Sequence, residues 1–279
     1  TSGRASYVDE LRGCIRRDNE IEIPIDSSSL TLEVLLQLHG VDEVRPRMPT
    51  PNDPGLRDAE SLAKRTFSRP EVAAALHEKV PDPDCKIDGI DAIQSLKKNS
   101  IGLSDLVLGL PFQSIPPSGW TNKNIKHWMK FLRGEWLEEW VAERIRSVEP
   151  AIQLLTGVSS KLQSRPFECD ILFLLKYRPF LVSCTIDAGI PICKSKLFEA
   201  ALRARQIGGD LTRYALVSFM SPSKVSQVQR DVSSVWDAPV KPRVFGIEHL
   251  KEWAGISRSE GNLESLRSWI DQEVQGGAS

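Results

Sequence analysis

A mixed α/β sandwich, with helices on both faces of a central sheet, is the fold class predicted for this chain. Three observations predict it. Residues 124–148 read as one long helix in which Trp128, Leu132, Leu137, Trp140, Val141, Ile145 and Val148 form a single apolar stripe. Residues 170–175 and 180–186 are apolar, β-rich runs separated by only four residues, the pattern of a hairpin. Beyond residue 190, helical and strand patterns alternate, as they do where helices cover both faces of a sheet. Composition agrees, since 279 residues that are 41% hydrophobic suffice for a substantial core.

In chain order, residues 1–118 read as a helix-rich N-terminal or linker module broken by punctuation. Residues 30–39 (LTLEVLLQLH) are a short amphipathic helix with Ser27–Ser29 as capping candidates and Gly40 after it. Residues 45–55 hold four prolines in a polar stretch and predict a surface loop. Short helices are expected at 58–66, 70–79, 89–98 and 104–108. Residues 114–119 (SIPPSG) mark the boundary with a second unit, residues 119–279. That unit starts with the long helix and the hairpin, whose turn is read as residues 176–179. A helix at 194–207, stopped by Gly208 and Gly209, follows. Then come a buried strand at 214–219, a helix at 223–235, a strand at 243–247 and a helix at 248–254. There is no internal repeat.

Charge and motif content narrow the function. Thirty-six Lys and Arg against 37 Asp and Glu leave a net charge of -1, which disfavours a dedicated basic coat but leaves room for a local patch. No apolar run approaches the roughly 20 residues that span a bilayer, so no membrane association is expected. No signal segment opens the chain, which makes the cytoplasm the expected compartment. The start at Thr1, without an initiator Met, suggests a piece of something longer. Five cysteines, none in a CxxC pair, disfavour a disulfide scaffold or a cysteine zinc site. The four histidines form no HExxH or HxH pattern, and there is no phosphate loop, GxGxxG or GxSxG. Trp136 and Trp140 read as core and not as a base-stacking platform.

Three polar features stand out. Glu138 falls on the rim of the apolar stripe, above Gly134 and below Ala142 and Ile145, whereas Glu139 joins Glu135, Glu143 and Arg146 on a charged face. A carboxylate beside a core-facing stripe calls for a partner: a salt bridge is the plain reading and a metal the sharper one. In the hairpin, strand alternation puts Glu168 with Asp170 and puts Ser183 with Thr185 and Asp187. Residues 194–213 carry Lys194, Lys196, Arg203, Arg205 and Arg213 against Glu199 and Asp210. Such a cationic strip is either a solvated helix face or a phosphate-binding surface.

GEWLEEW (134–140), FECDILFL (167–174), FLVSCT (180–185), CKSKLFEAALRARQIGGD (193–210) and YALVS (214–218) together resemble the PD-(D/E)xK, or restriction-endonuclease-like, nuclease superfamily. The closest flavour is the nuclease domain of CRISPR-associated ancillary nucleases activated by cyclic oligoadenylate. Residues 30–40 resemble the helical linker of those proteins, and no complete cyclic-nucleotide sensor is visible. The resemblance implies a mixed central sheet flanked by helices after a helical N-terminal module, and DNA or RNA as partner. It also implies Mg²⁺- or Mn²⁺-dependent phosphodiester hydrolysis in prokaryotic defence. This fold often dimerises to cut two strands, so a homodimer is an open expectation.

Carried over position by position, the helix acid is Glu138 and the hairpin acid is Asp170, both as metal ligands. The family's glutamate and lysine positions are here Ser183 and Thr185, with Cys184 retained between them. Lys194 is expected to supply the missing ammonium, and Asp187 or Glu168 the missing carboxylate, with Ser183 and Thr185 as weak oxygen ligands. Lys196, Arg203, Arg205, Gln206 and Arg213 are the expected nucleic-acid contacts. Two readings follow: an active metal-dependent nuclease, or a catalytically inactive module of the same fold that binds nucleic acid or a protein partner.

Overall fold

The computed structural model describes residues 6–9, 14–17, 22–24, 31–45, 53–80, 82–83, 121–162, 165–176, 178–235, 241–256 and 260–275. The helices expected at 89–98 and 104–108, the boundary at 114–119 and most of the proline-rich loop lie outside them. Ahead of the first helix, β1 (Ser6–Asp9), β2 (Cys14–Arg17) and β3 (Glu22–Pro24) form an antiparallel sheet that the helix-rich reading did not anticipate. Then come α1 (Leu32–Leu38), β4 (Val41–Arg45), α2 (Leu56–Ser68) and α3 (Pro70–Lys79). Local chemistry sets these ends. Thr31 Oγ1 accepts the Val34 amide at the start of α1, Asp58 reaches back to the Gly55 amide at the start of α2, and Pro70 opens α3.

The expected single helix at 124–148 is two helices. The chain runs through α4 (Asn122–Lys130), a π-helical turn (Phe131–Glu135) and α5 (Trp136–Val148). The break is at Gly134, whose φ of 155° lies in a region side-chain-bearing residues avoid. The apolar stripe survives it: Trp128, Leu132, Leu137, Trp140, Val141 and Ile145 are all buried, as is Trp136.

The central sheet runs β4-β5-β6-β7-β8-β9, with β5 (Gln153–Leu162), β6 (Arg165–Leu175), β7 (Arg178–Cys184), β8 (Arg213–Val217) and β9 (Arg243–Phe245). Neighbours are antiparallel from β4 to β7 and parallel from β7 to β9. The parallel crossovers run through α6 (Ile190–Gly208) and α7 (Pro222–Val235); α8 (Ile247–Trp253) and α9 (Glu264–Gln275) close the chain. β5 was not foreseen from the sequence, because its residues mix Ser, Thr and Lys with Leu and Val. The hairpin turn is tighter than expected: pairing continues to Leu175↔Arg178, Lys176 takes a positive φ, and Pro179 lies in the strand opposite Leu174.

Each face of this sheet has its own core. Aromatic residues dominate the first, in which Phe67, Trp128, Trp136, Trp140, Trp253 and Trp269 of the helices meet Phe173, Phe180 and Phe245 of the strands. In the second, Ala200, Ala201 and Ala204 of α6 lie in one cluster with Leu172, Leu181 and Leu216. Elements from the N-terminal side are part of this architecture, since β4 pairs with β5 and α2 shares the first core with α5.

Candidate active site

In β6 strand alternation fails at Asp170. Cys169 belongs to the second core while Ile171, two residues on, belongs to the first. In β5 the residue between the pairs Thr156↔Ile171 and Val158↔Cys169 is Gly157, with a φ of 54° that favours glycine. The side chain of Asp170 turns towards the end of β7, where its Oδ2 accepts the Ser183 hydroxyl at 3.0 Å and the Cys184 amide at 2.7 Å. Burial pushes its pKa above the ordinary aspartate range, opposed in part by those donors and by the Lys196 ammonium.

Asp170 lies on the wall of a cavity of about 680 Å³ enclosed by α3, the α4–α5 joint, the β6–β7 pair and the start of α6. Glu138 lines the same cavity from the first turn of α5. Its neighbours Leu137 and Trp140 are locked in the aromatic core, so the carboxylate is carried by a rigid element. The expected convergence of Glu138 and Asp170 on one space is therefore present. Cys184, Thr185 and Asp187 line the cavity too. Burial first, and then the charges of Asp170 and Glu138, hold the Cys184 thiol well above its usual range.

The cation is not the one expected. Lys194 Nζ is hydrogen-bonded to Asp231 Oδ2 of α7 at 2.5 Å and takes no part in lining the cavity. Lys196, two residues on, lines it instead and acts electrostatically on both Asp170 and Cys184. With Gly189 as N-cap and Pro191 in the first turn, α6 begins four residues before the position read from the sequence. Residues two apart on a helix lie about 200° apart around its axis, so Lys194 meets α7 while Lys196 meets the cavity.

The substitute oxygen ligands are differently employed as well. Ser183 faces a second, smaller cavity of about 50 Å³, which Asp170, Lys196, Glu168, Glu199 and Arg203 also line. Its hydroxyl serves Asp170. Thr185 Oγ1 accepts the Asp187 amide at 3.2 Å, and Asp187 Oδ1 accepts the Gly189 amide at 2.5 Å, an arrangement that shapes the turn into α6. Of the expected nucleic-acid contacts, Arg205 is exposed. Arg203 instead lies over Phe167, 5.2 Å from its ring centre, and donates to Gln206 Oε1 at 3.2 Å. Arg213 donates to the carbonyls of Asp210 and Leu211. Lys196 is 3.9 Å from Glu199.

Other residues reach the cavity that the sequence did not suggest: Glu71 and His77 of α3, Lys130 of α4, and Arg133 and Glu135 of the π-turn. Glu135 was read as part of a solvated face, which holds only if the helix is continuous. The one available signal was Gly134, a glycine in the middle of a strong helical pattern.

Among the described residues, no three His, Cys, Asp or Glu side chains are grouped as a ready metal cage. Mg²⁺ nonetheless is commonly held by one or two carboxylates, with water and substrate phosphate completing its shell. The pair Glu138 and Asp170, with Lys196 beside them, fits a hard divalent cation that shares its shell with a phosphate. Among the described residues no helix is long and apolar enough to cross a membrane.

No protein-family model matches the chain, and no curated protein matches it. Among solved structures it is similar to protein VC1899 from Vibrio cholerae, with a TM-score of 0.55 and 17% identity over 97% of this chain and 70% of that one. It is also similar to Can2 from Sulfobacillus thermosulfidooxidans, solved in complex with cyclic tetra-adenylate. There the TM-score is 0.50 and the identity 15%, over 88% of this chain and 64% of Can2. At such identities the likeness is one of fold alone.

Proposed function

We propose that this protein is a Mg²⁺- or Mn²⁺-dependent nuclease that hydrolyses phosphodiester bonds of DNA or RNA, with prokaryotic defence as its setting. The reading is carried by one observation: Glu138, Asp170 and Lys196, from three different elements, line one cavity. The defence setting is taken from the resemblance in sequence to nucleases activated by cyclic oligoadenylate, and the likeness to Can2, solved in complex with cyclic tetra-adenylate, agrees with it.

In this reading Glu138 and Asp170 hold the metal, which supplies Lewis-acid polarisation of the phosphate and a more acidic water. The two donors to Asp170 Oδ2 fix the orientation of that carboxylate and favour its ionised form against the cost of burial. Lys196 offsets the negative charge that grows on the phosphate in the transition state, the part given to a strand lysine in the superfamily pattern. Lys130 and Arg133, at the α4–α5 joint, attract the phosphate backbone to the cavity.

The test is cleavage of supercoiled plasmid and of labelled single-stranded DNA and RNA with Mn²⁺, Mg²⁺ or EDTA, comparing wild type with Asp170→Ala. Metal-dependent cutting that disappears in the variant is expected, with salt-sensitive binding nearly intact. Equal cutting by both proteins would sink the assignment of the site.

A second reading, a non-catalytic module that binds nucleic acid or a protein, draws on Ser183 and Thr185 at the acid and lysine positions. Asp187, the substitute carboxylate, already accepts a backbone amide. Salt-sensitive binding without cutting of any substrate would select this reading.

A further inference from the structure

We propose that the cavity has an apolar slot, between α3 and the first turns of α6, that holds a nucleobase beside the bound phosphate. The inference rests on the nuclease reading and names the part of the substrate that the site takes besides its backbone. A phosphodiester needs only cations, donors and metal ligands, and the charged side of the cavity provides them. The remaining wall is of another kind. Pro70 and Ala74 of α3 line it together with Ile186, Phe219 and Ile192.

Ile192 is 50% exposed although it lies in a concave site, and Ala74 is exposed as well. An isolated exposed isoleucine needs no explanation. Several apolar side chains lining the same opening as Glu138, Asp170 and Lys196 need an apolar occupant. A nucleobase meets the requirement, because it is attached to the phosphate that the charged groups would bind and has an apolar face with a hydrogen-bonding edge. Glu71 and His77, from α3, line the same opening and offer partners for that edge. A volume of about 680 Å³ lies in the roughly 300–1,000 Å³ range of pockets that enclose small organic ligands. A base seated there is out of its stack.

The α3 wall of the cavity is also tied in place. Arg133 Nη1 donates to the Val80 carbonyl at 2.8 Å and to the His77 carbonyl at 3.2 Å, tying the end of α3 to the π-turn. A preformed slot avoids the ordering cost of assembling one around the ligand.

The experiment measures binding of two probes to the full chain by titration calorimetry: 2′-deoxyadenosine 5′-monophosphate and 2-deoxyribose 5-phosphate. The nucleotide is expected to bind at least about tenfold more tightly, the scale on which a base face leaves water for a protein surface. Ala74→Trp fills the slot and Ile192→Ser removes its apolar edge, and each should bring the two affinities within about twofold. Both positions are exposed, so melting temperature should change little. Lys196→Met should weaken both probes alike. Equal binding of the two probes to wild type, binding of neither, or a preference that survives Ala74→Trp would overturn the slot. The cleavage assay reports separately. A wild type that prefers the nucleotide and cuts nothing keeps the slot and loses the nuclease reading; one that cuts but binds both probes equally does the reverse.

Discussion

The two faces of the central sheet are built differently, and the candidate site draws on both. The first face is packed with large aromatic rings, among them Trp136, Trp140, Phe67 and Phe219, which contact one another edge-on or tilted. It presents Glu138. On the second face α6 lies close to the strands on Ala200, Ala201 and Ala204, and it presents Lys196. Asp170 stands where β6 passes from one core to the other. An acid on a helix braced by rings and a cation on a helix seated by alanines reach one cavity because the strand between them breaks its alternation. Precision at this site comes from backbone placement more than from contacts among the charged groups themselves.

The largest expected effect is at the crossover between the faces. Asp170→Asn should reduce cleavage by about a thousandfold. It should also raise the melting temperature at neutral pH, by about 2–4 °C for each kcal/mol recovered. Burial raises the pKa of Asp170, so the folded chain holds that proton more tightly than the unfolded one. The group's contribution to stability therefore falls as pH climbs from the ordinary aspartate range through the raised value. Cleavage has the opposite dependence, since the ionised form is needed, and its rate should fall as pH drops. Thermal melts and a pH–rate profile of both proteins check the two signs; a variant less stable than wild type at neutral pH would contradict this account.

Next in size is the contrast between the cores. Trp140→Ala on the aromatic face should cost about 3–5 kcal/mol, as the loss of a buried ring does. Ala204→Leu on the other face should cost about 1–3 kcal/mol, because added atoms push α6 off the sheet. Urea unfolding measures both, and Ala204→Leu should in addition lower cleavage by displacing Lys196.

The finest distinction is between two lysines on one helix. Lys196→Met should slow cleavage by about a hundredfold. Lys194→Met should leave it within about twofold, and its partly exposed pair with Asp231 should contribute at most about 1 kcal/mol. Steady-state rates of the two variants separate them, and equal losses would place the cation wrongly.

What the sequence made legible follows from where local chemistry decides the outcome. Gly55, Pro70 and the Gly208–Gly209 pair end or begin helices by themselves, and α2, α3 and α6 stop or start at them. Phe180 and Val182 alternate with Leu181 between the two cores, so β7 could be read directly. The site was less legible because it lies where regular periodicity fails. Asp170 follows no alternation, Glu135 lies past a break at Gly134, and the choice between Lys194 and Lys196 turns on what packs around α6. Residues 70–77 reach the cavity through tertiary packing, for which a linear pattern holds no signal.

The hydroxyl of Ser183 gives the departure at this position a direction. The pattern that the sequence resembles has a glutamate at this position, and on paper one substitution supplies it. In the folded chain that exchange takes away one of two donors to Asp170 Oδ2 and sets a second carboxylate against a half-buried one. The restored acid is thus a liability until some cation arrives to share it, so the intermediate step is worse than either end. Neighbouring positions have become mutually contingent. Ser183→Glu alone is thus expected to lose more than it supplies, and a bound divalent cation is what would reverse that balance.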